Sequence, residues 1–89
     1  MSDDAMRQIE ELRKQIDDID REIVRKLNTR AELALKIRVF KAQSDLPLYD
    51  PGREENIFQK ITTANNGPLY DDDLRGIYET ILHTMKSLD

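Results

Sequence analysis

The chain has 89 residues, no cysteine, one histidine, 36% charged residues and a formal net charge of −4. These values exclude a disulfide framework and a thiolate metal site, leave little for zinc, and argue against a general phosphate-backbone binder, which needs an excess of Lys and Arg to displace counterions. One domain is expected, and at this size a lone core barely offsets chain entropy, so help from a partner chain is expected as well.

The acidic start MSDDAMRQIEEL lacks the apolar run of a secretory signal, and no segment is long enough to span a bilayer, so a soluble, cytoplasmic protein is expected. So many charges also fit disorder, but regular apolar spacing opposes that reading. No Pro or Gly precedes Pro47, and Ile9, Leu12, Ile16, Ile19 and Ile23 step by three and four, as the seam of a helix packed on helices does. The stripe lengthens by one residue between Ile23 and Leu27, a stutter that relaxes supercoiling, and resumes through Arg30, Ala34, Ile37 and Lys41. Ser2 or Asp3 is placed to cap the start. The SDLP segment ends the helix, because a residue before proline is driven out of the helical region.

A second helix is announced by YDPGREEN: Asp50 suits the N-cap, Pro51 the first helical position, and Glu54 and Glu55 the positive end of the dipole. Ile57, Phe58 and Ile61 give it a face to bury, and NNGP stops it, with Asn and Gly suited to a left-handed cap. A third helix opens at YDDDL and runs on Leu74, Ile77, Tyr78, Ile81, Leu82, Met85 and Leu88. The expected helices cover residues 3–44, 51–64 and 71–88, with no strand: an all-α domain over 1–89 with one long and two short helices. About forty residues of helix measure roughly 60 Å, against a radius of gyration of about 12 Å for a compact chain of this size. Two short helices cannot cover so long a stripe, and a symmetric dimer with paired long helices is the economical solution.

Arg30 and Lys41 sit on that stripe about three turns apart, roughly 20° around the helix and 16 Å along it. The gap between them suits a small polyanion, with a guanidinium fork holding a carboxylate at one end and an ammonium acting as a point charge at the other. The plainer alternative is that both lay their stems on apolar surface and keep their charges in water.

Three segments, LRKQIDDID (Leu12 to Asp20), TRAELALKIRVFK (Thr29 to Lys41) and PLYDPGREENI (Pro47 to Ile57), together resemble the all-helical, AroQ-type chorismate mutases in residue type and in spacing. The resemblance covers nearly the whole chain. It implies an intertwined three-helix homodimer with two equivalent sites, rearranging chorismate to prephenate toward phenylalanine and tyrosine, with no cofactor, metal, nucleic acid or membrane involved. Carried over by position, it makes Arg13 and Arg30 the carboxylate-binding arginines, Lys41 the donor to the ether oxygen and Arg53 a further cation near the ring carboxylate. Glu54 then accepts the substrate hydroxyl, and the backbone at Asp50 meets the same group. Arg13 lies roughly 42 Å along the helix from Lys41, too far for a small molecule to bridge, so it serves the other protomer's site.

The third helix departs from the pattern. Met85 stands where the family usually has a substrate-contacting Ser, and Asp89 where it has a Gln donating to the ether oxygen. An ionised Asp cannot donate, and a terminal carboxylate beside it adds charge, so Asp89 assists only when protonated and the rate is expected to rise as pH falls. A frayed, uninvolved Asp89 is the alternative. Arg13 has a bland reading as an i,i+4 partner of Asp17, and Arg53 and Glu54 as ordinary first-turn charges. Asp17, Asp18 and Asp20 point to different sides of the helix and read as a solvated face, and His83 as a surface residue. Two rival functions stay open: an isochorismate-pyruvate lyase on the same fold, and a non-catalytic dimerisation or regulatory module. A helical nucleic-acid binder is a more distant third.

Overall fold

The computed structural model of the chain describes residues 2–88, which form three helices in the order α1 (Ser2–Gln43), α2 (Pro51–Ala64) and α3 (Asp71–Lys86), with no strand among the described residues. The one-long, two-short helical expectation holds. Backbone contacts divide the chain into two units, the division falling between Leu33 and Ala34 within α1.

The first unit is the larger part of α1. Ser2 and Asp3 both lie inside the helix rather than at its cap, and Asp3 and Asp4 act in the first turn, where their charge favours the positive dipole end. The apolar seam is open to solvent: Ile9 is 46% exposed, Leu12 57%, Ile16 54%, Ile19 56% and Ile23 49%. Ion pairs Arg7–Asp4, Arg21–Asp18 and Arg25–Glu22 line the polar sides at i,i+3, each contributing a few tenths of a kcal/mol. Asn28 and Thr29, both weak helix formers, bond back to the carbonyls of Val24 and Arg25 at 3.1 and 3.0 Å, which satisfies their side chains without ending the helix.

In the second unit the last turns of α1 join α2 and α3. The two short helices run antiparallel, because Glu54 at the start of α2 meets Lys86 at the end of α3, while Asn65, just past α2, meets Asp71 at the start of α3 at 2.8 Å. Phe58 and Leu82 are buried between them, flanked by half-buried Ile57, Ile61, Leu74, Tyr78, Ile81 and Met85. Arg75 lies over the Phe58 ring at 4.1 Å from its centroid and near Glu55 and Glu79 at 3.8 and 3.7 Å. An exposed cation on an aromatic face adds about 0.5–1 kcal/mol.

The helix ends carry the differences from expectation. At the end of α1, Asp45 adopts a left-handed φ of 60° and the Leu46 amide donates to the Lys41 carbonyl at 2.9 Å. That is the six-to-one bond of a Schellman cap, so the stop is made at Asp45, two residues ahead of Pro47. Asp50 caps α2 as expected: its backbone is extended and its Oδ1 accepts from the Arg53 amide at 3.1 Å. After α2, Asn65 is extended rather than left-handed, and Gly67 takes the left-handed role at φ 76° ahead of a cis bond to Pro68. Asn65 instead organises the loop through its side chain, donating to the Leu69 carbonyl and accepting from the Gly67 amide. The third helix ends at Lys86, not at Leu88, because the Ser87 and Leu88 amides tighten into three-residue bonds with Thr84 and Met85.

A β-branched residue tolerates the Asp45 conformation poorly. Asp45→Val is expected to lower unfolding stability by about 1–2 kcal/mol in urea titration, whereas Asp45→Gly, free of the Cβ clash, is expected to be neutral or mildly stabilising.

Candidate active site

Lys41 occupies the final turn of α1 and is half-buried, with Nζ donating to the Leu48 carbonyl at 3.3 Å. The Schellman turn that closes α1 reverses the chain so that Leu48 comes within reach of a residue seven positions earlier. Next along is Tyr49, whose ring lies 5.3 Å from the Lys86 ammonium, and Lys86 in turn pairs with Glu54 at 2.7 Å. Lys41 and Glu54 are therefore joined through a short relay of contacts across the α1–α2 loop and the end of α3.

Glu54 is the most sheltered carboxylate of the group, its side chain 25% exposed against 54% for Lys86. Its place in the first turn of α2, fixed by the Asp50 cap and Pro51, puts a negative charge at a positive dipole end. The hydrogen bond to Glu54 lifts the Lys86 ammonium above its ordinary pKa, outweighing slight desolvation, and the charges of Glu54 and Tyr49 act in the same direction. A raised lysine pKa means that the pair's contribution is complete at neutral pH and is lost only as pH climbs through that raised value.

Of the residues expected in the site, Lys41, Asp50, Arg53, Glu54 and Met85 all belong to the second unit. Asp50 and Arg53 are exposed, and Met85 is half-buried. Asp89 lies outside the described residues. Arg13 and Arg30 belong to the first unit; Arg30 is half-buried and Arg13 exposed. Among the described residues Arg13 makes no ion pair with Asp17; the one Asp of DDID that pairs is Asp18, with Arg21. No group of three or more His, Cys, Asp or Glu side chains among the described residues is placed to hold a metal ion. No described helix is long and apolar enough to cross a membrane.

Two residues matter that sequence reasoning did not single out. Arg38 reaches from α1 to the end of α3 and donates to the carbonyls of Met85 at 3.0 Å, Lys86 at 2.7 Å and Leu88. The Met85 and Lys86 carbonyls belong to the last turn of α3 and that of Leu88 lies just past it, where acceptors outnumber intrahelical donors and a cation also complements the dipole. Lys86 is the second. The KIRVFK cluster marked Arg38 as basic and one turn from Lys41, but its partners lie almost fifty residues downstream and leave no local signal.

An open hollow of about 420 Å³ is lined by Ile61, Ala64, Asn65, Asn66, Gly67, Leu74 and Tyr78. It sits at the opposite end of α2 from Glu54 and has no charged lining residue, so a small dianion finds no partner there.

A family model described as chorismate mutase type II matches residues 12–89. The chain is 42% identical over 88 residues to a bifunctional chorismate mutase/prephenate dehydratase of Aquifex aeolicus, an alignment covering 94% of this chain and 24% of that protein. It is 39% identical over 51 residues to a chorismate mutase of Methanocaldococcus jannaschii, covering 57% of this chain and 52% of the other. A solved structure of chorismate mutase (form II) from Thermus thermophilus superposes with a TM-score of 0.88 at 36% identity, over 91% of this chain and 92% of that one. This chain thus spans about a quarter of the bifunctional relative and nearly all of the Thermus structure.

Removing the Arg38 guanidinium takes one donor from each of the Met85, Lys86 and Leu88 carbonyls. Arg38→Met is expected to cost about 1 kcal/mol, discounted for partial exposure, and to speed amide hydrogen exchange at Ser87 and Leu88 more than at Tyr78.

Proposed function

The chain belongs to the type II chorismate mutase family, and from that membership we propose that it is a chorismate mutase, an isomerase that converts chorismate to prephenate by a [3,3]-sigmatropic rearrangement. The single observation that supports this best is that the second unit holds both a half-buried cation, Lys41, resting on the Leu48 carbonyl, and a sheltered carboxylate, Glu54, paired with Lys86, at two positions that the family resemblance gives to the substrate.

The reaction needs no nucleophile and no redox cofactor. Substrate has to be held in a compact conformer with its reacting carbons close, so positioning is the main task. Arg30 and Arg13 each bind a carboxylate, and Arg53 adds a cation near the ring carboxylate. Lys41 exchanges its bond to the Leu48 carbonyl for one to the ether oxygen, where negative charge grows as the C–O bond breaks. Glu54 accepts the ring hydroxyl, which the backbone at Asp50 also meets. Met85 lines the wall, and Asp89, which aligns with the family's donor to the ether oxygen, assists only when protonated.

The site is completed by a second copy. The exposed seam of Ile9, Leu12, Ile16, Ile19 and Ile23 supports a homodimer in which the long helices lie antiparallel, since full burial of each such side chain contributes about 1.5–3 kcal/mol relative to exposure. In that arrangement the early residues of one α1 reach the late residues of the other, and Arg13 enters the partner's site. Residues 1–89 then act as one helical domain, in the cytoplasm, at the branch toward phenylalanine and tyrosine.

Incubation of pure protein with chorismate, with product identified, tests the activity: prephenate supports it, release of pyruvate indicates the lyase, and no turnover indicates a silent dimerisation module. Lys41→Ala is expected to lower kcat by about 10²–10³-fold, and near-normal turnover in a folded dimer of that variant overturns its role. Sharing of sites has its own test. Arg13→Ala and Lys41→Ala chains, each nearly inactive alone, are expected to recover roughly a quarter of wild-type activity when refolded together in equal amounts, because half the dimers are mixed and each mixed dimer has one intact site. No recovery overturns the exchange of Arg13.

A further inference from the structure

Lys86 is the one cation whose head group is held from two sides and whose backbone is held from a third among the described residues of the second unit. Its Nζ lies 2.7 Å from Glu54 Oε1 and 5.3 Å from the centroid of the Tyr49 ring. Its carbonyl accepts from Arg38 at 2.7 Å, and the preceding carbonyl, of Met85, accepts from the same guanidinium at 3.0 Å. Arg38 stands one turn before Lys41 on α1. The point from which the Lys86 side chain departs is thus fixed to the helical segment that bears the ether-oxygen donor, and its tip is fixed to the carboxylate of α2.

A lysine stem is flexible, and an exposed ion pair usually leaves both partners free to wander. Here the anchored backbone and the aromatic face restrict that freedom, because the ammonium is drawn to the ring as well as to the carboxylate. Engagement of Oε1 sets the rotation of the Glu54 carboxylate and leaves its second oxygen to accept from a ligand. Without that restraint a Glu side chain has three torsions to lose on binding, which weakens a single hydrogen bond.

We infer that Lys86 is a positioning residue for the proposed reaction: it orients Glu54 so that the free carboxylate oxygen meets the ring hydroxyl of the substrate. This role rests on the chorismate mutase reading above. It also accounts for a cation next to Met85, at the turn of α3 that departs from the family pattern.

The experiment compares wild type, Lys86→Met, Lys86→Arg, Glu54→Gln and the Glu54→Gln/Lys86→Met double variant, using chorismate and an analogue that lacks the ring hydroxyl. Lys86→Met is expected to raise KM for chorismate roughly three- to tenfold with a smaller change in kcat. The analogue, measured by KM or as an inhibition constant, is expected to bind wild type and Lys86→Met alike. Lys86→Arg restores most of the loss, and the double variant is no worse than Glu54→Gln alone. A merely structural clip between α2 and α3 weakens chorismate and the analogue equally, and that result overturns the role, as does an unchanged KM or additive losses in the double variant. If circular dichroism finds Lys86→Met unfolded, Lys86→Gln, which keeps a donor without the charge, is judged by the same two ligands. A wild-type chain that leaves chorismate unchanged overturns the activity and this role together; turnover by wild type with a Lys86→Met variant that weakens chorismate and the analogue equally overturns this role alone.

Discussion

An apolar stripe that its own chain leaves in water is the constraint on which this molecule turns. Ile9, Leu12, Ile16, Ile19 and Ile23 repeat with the period of a packed helix, yet each stays about half exposed. Water tolerates scattered apolar side chains on a surface, but a continuous row along one helical face is a binding surface in waiting. Among the described residues only Phe58 and Leu82 are buried, both between the short helices. A core of that size stabilises little. In the homodimer proposed above, the site would draw residues from both copies, and its integrity would depend on protein concentration.

The electrostatics of the second unit follow a single logic. Helix termini leave unsatisfied backbone groups, and here they are answered by side chains of opposite character. Asp50 and Glu54 face the amides that open α2, while Arg38 faces the carbonyls that close α3. Because α2 and α3 run antiparallel, the anionic start of one lies beside the cationic end of the other, and the Glu54–Lys86 pair bridges them. The charges that stabilise the scaffold are therefore neighbours of those assigned to the substrate. Lys41 resting on the Leu48 carbonyl fits the same scheme, since a backbone acceptor can be exchanged for a ligand oxygen without exposing an unpaired ammonium.

What was legible in the sequence was what depends on nearby residues. The bounds of α2 followed from Asp50, Pro51 and the NNGP stop, because caps act within three or four positions. The seam of α1 was legible for the same reason. The sequence points to Pro47 for the stop of α1, whereas the left-handed turn falls at Asp45, a residue that adopts that conformation at modest cost and so gives no strong signal. The apolar spacing carries α3 to Leu88, two residues past its end at Lys86, since nothing local distinguishes Ser87 and Leu88 from a continuing helix. Arg38 and Lys86 escaped altogether: their partners are distant in sequence, and a basic residue on a polar surface is the commonest thing in any helix. Motif resemblance marks Lys41 and Glu54 as candidates, but not the contacts that hold them.

The grip of Arg38 on the end of α3 has a practical consequence for handling the protein. A purification tag or fused enzyme appended after Asp89 would pull on carbonyls tied directly to the turn of α1 that holds Lys41. Strain from such an appendage would reach the proposed site within one guanidinium's span, so a C-terminal fusion calls for a slack, uncharged spacer before any comparison of rates between preparations is meaningful.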